Sequence, residues 1–92
     1  MKNDLESIQE LIKEESDKIK TLLLEKNEKY GNSAINPKRI FSKSSPIEQI
    51  KVRIDDKISR IANYNVLDDE DVITDLAGYL ILLNVAKRIH NQ

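Results

Sequence analysis

Asp71 and Asp75 stand four residues apart in the run Asp71-Val72-Ile73-Thr74-Asp75-Leu76-Ala77-Gly78-Tyr79. On a helix that spacing makes their carboxylates neighbours, and like charges so placed repel by a few tenths of a kcal/mol. A hard divalent cation reverses the sign of the interaction, because Mg²⁺ prefers carboxylate oxygens, water and substrate phosphates. Glu25 and Glu28 form a second acidic pair, and Asp55 or Asp56 offers a further carboxylate. Acids on facing helices are one way to build a metal site inside a bundle. Arg53, Lys57 and Arg60 are the opposing cations, spaced at steps of four and three. Such a row either neutralises phosphate or forms a solvated flank laced by weak ion pairs with Asp56.

Asp75 is the residue that asks for an explanation. At about 100° per residue, Asp71, Asp75, Gly78, Tyr79, Leu82 and Ala86 share one helix face. A carboxylate set among apolar neighbours costs several kcal/mol unless something compensates it. Three compensations are open: a metal ion, a cation from another helix, or solvent in a cleft.

Three helices are expected to position these groups. The first spans about 3–30, with Leu5, Ile8, Leu11, Ile12, Ile19, Leu22 and Leu23 at three- and four-residue steps. Gly31 is its stop. The second runs from 46 to 64 behind Ser45-Pro46-Ile47-Glu48, a capping box with proline at the first helical position. Its stripe is Ile47, Ile50, Ile54, Ile58 and Ile61. The third spans about 69–89, capped by Asp68, with Glu70 and Asp71 where the helix dipole favours anions. Between the first two lies a loop, 31–45, in which Ile35, Ile40 and Phe41 are costly to leave in water; its Lys38, Arg39 and Lys43 either reach an anion or belong to a solvated basic loop pinned by Ile40 and Phe41.

The pattern predicts one all-α domain over 1–92, a three-helix antiparallel chain. The third helix is apolar on nearly every side, and two short neighbours cannot cover it. A helical bundle completed by a second subunit is therefore expected, as a homo-oligomer. A chain of this size buries only about 60–65% of its unfolded surface, which points the same way.

Composition narrows the function classes. Charged residues make up 34% and hydrophobic ones 39%, a balance that fits a soluble globular chain. There is no Cys, hence no disulfide frame and no thiolate metal site, and the single His excludes a His-rich centre. The net charge of −1 argues against a binder of polymeric nucleic acid, though not against one nucleotide in a local basic pocket. The run from Leu76 to Ala86 is too short to span a bilayer and the N-terminus lacks a signal-peptide core, so a cytoplasmic protein without membrane contact is expected.

Three stretches carry a resemblance: Glu28-Lys29-Tyr30-Gly31-Asn32-Ser33, Arg53-Ile54-Asp55-Asp56-Lys57-Ile58-Ser59-Arg60, and the run from Asp71 to Tyr79. Together they resemble the phage-type nucleotide modification associated domain 1, which is itself similar to the MazG-like all-α nucleoside triphosphate pyrophosphohydrolases. The resemblance covers roughly 25–83. It implies that acidic pairs on two helices hold Mg²⁺ against a triphosphate, while water attacks to release pyrophosphate and leave a monophosphate. Asp71 and Asp75 resemble the second acidic pair, though here as Asp-x-x-x-Asp. Glu25 and Glu28 have the E-x-x-E spacing of the first, but precede the loop. Asp56 and Lys57 match the family's Asp-Lys pair.

On this basis Asp56 and Asp75 are the candidate catalytic carboxylates, and Glu25, Glu28, Asp71 and Asp75 the candidate metal ligands. Lys29, Tyr30, Arg53, Lys57, Arg60 and Tyr79 are the candidate nucleotide contacts, with Tyr30 or Tyr79 stacking on a base. The leading expectation is Mg²⁺-dependent hydrolysis of a nucleoside triphosphate in the host cytoplasm. The alternative is a non-catalytic phage sponge that sequesters a signalling nucleotide. A third reading has Asp75 simply paired with Lys57 or Arg53 of a neighbouring helix, in an oligomer that acts through protein contacts.

Overall fold

The computed structural model describes residues 4–37, 40–64 and 70–90, the side chains of Glu70 and Asp71 excepted. The fold is all-α, with helices α1 (Asp4–Tyr30), α2 (Pro46–Tyr64) and α3 (Glu70–His90) in chain order. Asp68, the expected cap of α3, lies outside the described residues, as do Lys38 and Arg39 of the loop.

Each described boundary has a local cause. Gly31 ends α1 with φ at +66°, the left-handed conformation that glycine adopts without a Cβ penalty. Asn27 on the last turn donates its side-chain amide to the Gly31 carbonyl at 3.1 Å and to Asn32 Oδ1 at 3.0 Å. The Asn32 carbonyl then accepts from the amides of Ile35 and Asn36 at 3.0 and 2.7 Å, which winds one further turn. At the start of α2 the Glu48 amide donates to Ser45 Oγ at 3.1 Å, the cap that the sequence predicts.

α3 is the central element and packs on both α2 and α1. The core is small. Ile35, Ile50, Ile54 and Ala86 form it, with Ile47, Leu76, Tyr79, Leu82 and Leu83 packed around them. At the α1–α3 crossing Gly78 lies against Leu23, where an added Cβ would meet Leu23 Cδ2 at 3.3 Å. The missing side chain is what lets the two helices approach.

The loop is anchored differently from the expectation. Ile40 and Phe41 do not pin it, being 83% and 96% exposed, whereas Ile35 is buried in the core. Past Tyr30, the Asn32 turn is still wound tightly enough to swing Ile35 inward, whereas Ile40 and Phe41 stand outside the core. His90 closes the arrangement by donating from Nε2 to the Ile35 carbonyl at 3.3 Å.

Candidate functional site

The Asp75 carboxylate faces a cation from another helix. Lys57 Nζ on α2 donates to Asp75 Oδ2 on α3 at 3.2 Å, with the two side chains 17% and 35% exposed. The pairing follows from the stripe of α2: Ile50 and Ile54 face the core, and Lys57, one turn on from Ile54 and on the same side, reaches along α3. A lysine stem lying over apolar surface with its ammonium turned to a carboxylate is a favourable use of this side chain.

Asp75 also borders a cleft of about 470 Å³ between α1, the 31–37 turn and α3. That volume falls in the range of small-molecule sites, roughly 300–1,000 Å³. From α3 the cleft takes Thr74 together with Asp75, Gly78, Tyr79 and Leu82, the last four from the face expected from helical spacing. From α1 it takes Ile19, Leu22 and Leu23 as an apolar wall, then Lys26, Asn27 and Tyr30. Arg53 of α2 and Ser33 of the turn complete the polar rim. The result is an apolar floor, two phenol rings, two cations and one carboxylate.

Of the expected nucleotide contacts, Tyr30, Arg53 and Tyr79 line this cleft, and Lys57 borders it through Asp75. Lys29 and Arg60 do not line it. Lys29 is exposed, with its ammonium 5.2 Å from the centre of the Tyr30 ring. Arg60 is exposed on the last turns of α2. Asp56 is exposed outside the cleft, because it follows the buried Ile54 by two residues and turns to the outer side of α2.

Among the described residues the expected metal ligands are not gathered. Glu25 and Glu28 are exposed and outside the cleft lining, pointing away from the α1 face formed by Ile19, Leu22 and Lys26. The Asp71 side chain lies outside the described residues. Among the described residues Asp75 is the one carboxylate of the cleft, and no group of three or more His, Cys, Asp or Glu is placed to hold a metal ion. Among the described side chains the donors are fewer than the two acidic pairs that the resemblance implies for Mg²⁺.

Lys26, Asn27, Ser33 and Thr74 belong to the cleft but were not singled out from the sequence. Lys26 was legible in principle, since it stands four residues before Tyr30 and three after Leu23 on the same α1 face. Asn27 has a helix-ending role that hides its place beside the cleft. Ser33 depends on a turn whose path the sequence does not fix.

No protein family, curated protein or solved structure gives a significant match to this chain.

Proposed function

We propose that the protein binds a nucleotide in the cleft between α1 and α3. The observation that carries the reading is the convergence of Arg53, Lys26, Tyr30 and Tyr79 from three helices on one cavity of about 470 Å³. Two cations at the rim suit a phosphate group, and a tyrosine ring suits a base. Asn27, Ser33 and Thr74 add hydrogen-bonding groups that orient a polar heterocycle.

Retention of the nucleotide is the form of this reading that the geometry favours. Asp75 already has the Lys57 ammonium as its counter-ion, so its carboxylate is committed to holding α2 against α3. A cytoplasmic protein that keeps a nucleotide intact acts by removing it from solution. The sequence resemblance to nucleotide-handling phage domains supports this setting.

A second reading is Mg²⁺-dependent hydrolysis of a nucleoside triphosphate to monophosphate and pyrophosphate. It draws on the same resemblance and on the presence of Asp75 and Arg53 around one cleft.

The test is thermal melting of the full chain with a panel of nucleoside mono-, di- and triphosphates and cyclic nucleotides, beside an Arg53→Ala variant. A ligand at 100 times its dissociation constant adds about 2.7 kcal/mol to the folded state. At least one nucleotide is expected to raise Tm, and Arg53→Ala to abolish the rise. No shift with any nucleotide would remove the reading.

A further inference from the structure

Among the described residues, nothing buries the apolar face of the first half of α1. Every residue from 4 to 18 is exposed, and α1 buries no residue along its whole length. Leu5, Ile8, Leu11 and Ile12 nonetheless continue the stripe that Ile19, Leu22 and Leu23 use to line the cleft. They are between 54% and 65% exposed. A helical segment of about 12–15 residues is marginal by itself in water, so this one needs a surface to lie on.

A matching surface exists beside the first cleft, sharing Leu23 and Asn27 with it. A second groove, of about 600 Å³, runs between the later part of α1 and the end of α3. Leu24, Ile81, Val85 and Ile89 line it, and all four are exposed in the isolated chain, from 38% to 62%. Lys20 and His90 stand at its edges.

Charge decides what fits there. From 4 to 17, α1 carries six acidic side chains (Asp4, Glu6, Glu10, Glu14, Glu15 and Asp17) against Lys13 alone. From 18 to 29 it carries four lysines against Glu25 and Glu28, and the last turn of α3 adds Lys87, Arg88 and His90. The acidic apolar half of one α1 is thus complementary to the apolar groove of a second copy laid antiparallel to it, a groove with Lys20 and His90 in its lining and the other basic residues of α1 and α3 around it. Within a single chain the two cannot meet, because residues 4–17 and the α1 wall of the groove belong to one continuous helix.

The exposed area agrees. The chain exposes 7531 Å², whereas a folded monomer of 10.6 kDa exposes roughly 5,500 Å². The excess, about 2,000 Å², lies within what one partner of an obligate dimer hides, roughly 1,000–2,500 Å².

We infer that two copies of this chain form a two-fold dimer in which residues 4–17 of each α1 occupy the α1–α3 groove of the other. The exchange is reciprocal, as an isologous interface requires. It covers the apolar face of α3 that α1 and α2 leave open, and it places the partner helix behind the wall of the first cleft at Leu23 and Asn27, which border both cavities. The inference is independent of what the first cleft holds.

Sedimentation velocity on the full chain, the Ile12→Glu variant and the Val85→Glu variant tests it. The wild type is expected at twice 10.6 kDa and each variant at 10.6 kDa, with circular dichroism reporting the helix that survives. Because the chain has no cysteine, a second measurement covers variants that fail to fold. Mixing Ile8→Cys with Ile89→Cys under oxidising conditions should give a disulfide-linked heterodimer. A monomeric wild type, a mass that is not an even multiple of the chain, variants that stay dimeric, or a mixture without that heterodimer would each overturn the inference.

Discussion

Lys57 and Asp75 meet at 3.2 Å across the α2–α3 interface, and this pair is where the stability of the fold and the chemistry of the cleft join. The ammonium is the more enclosed partner and the carboxylate opens onto the cleft. Removing either side chain therefore does two things. It unties two helices, and it changes the charge that a bound ligand meets.

For stability, Lys57→Met is expected to cost about 1–2 kcal/mol, between the values for exposed pairs and for buried ones. Asp75→Asn should cost less than Lys57→Met, since the amide oxygen still accepts from Lys57. Urea denaturation of both single variants and the double variant measures the coupling. Coupling below a few tenths of a kcal/mol would reduce the pair to a surface contact.

The two boundary residues give a second, separable prediction. Ser45→Ala should lose about 1 kcal/mol, the usual cost of an N-cap hydroxyl. Gly31→Ala should lose about 1–2 kcal/mol because of its positive φ. Nothing lies within 4 Å of a Cβ built at Gly31, so crowding adds nothing and Gly31→Asn should recover part of the loss. Thermal melts of the three variants check the order.

At the α1–α3 crossing, Gly78→Val places a branched side chain against Leu23, already 3.3 Å from a built Cβ. Overpacking of this kind costs typically 1–3 kcal/mol. Leu23→Ala in the same chain should restore part of it by making room. If the double variant is simply the sum of the two losses, the two residues do not share the contact.

Much of the helical framework was legible because its signals are local. Helical spacing of apolar residues, the Ser45 cap and the Gly31 stop act within a few residues of where they stand, and the two helix ends flanked by described residues, Tyr30 and Pro46, fall where they are expected. The compensation of Asp75 was legible as a question, and a lysine of α2 was among the answers open to it. What the sequence hid depends on longer paths. The turn at Asn32 decides that Ile35 is the loop residue that reaches the core while Phe41 stays in water. The outward turn of Asp56 and Glu28 depends on which faces of α2 and α1 pack, and spacing alone left that open.

Cleft variants should separate binding from folding. Arg53 is exposed, so Arg53→Ala is expected to change Tm of the free protein by no more than the usual surface effect, within about 0.5 kcal/mol. Its effect on nucleotide affinity should be several-fold larger than that of Arg60→Ala, which lies outside the cleft. Isothermal titration with the nucleotide that raises Tm most reads both.

The central claim is that the α1–α3 cleft holds a nucleotide and leaves it whole. The direct measurement is incubation of the full chain with a nucleotide panel, with and without Mg²⁺, followed by chromatography of the bound and free fractions. The account predicts an intact nucleotide in the bound fraction, little changed by Mg²⁺ and lost in Arg53→Ala. Pyrophosphate and a monophosphate in the free fraction would contradict retention, and a bound fraction empty of every nucleotide would contradict the claim altogether.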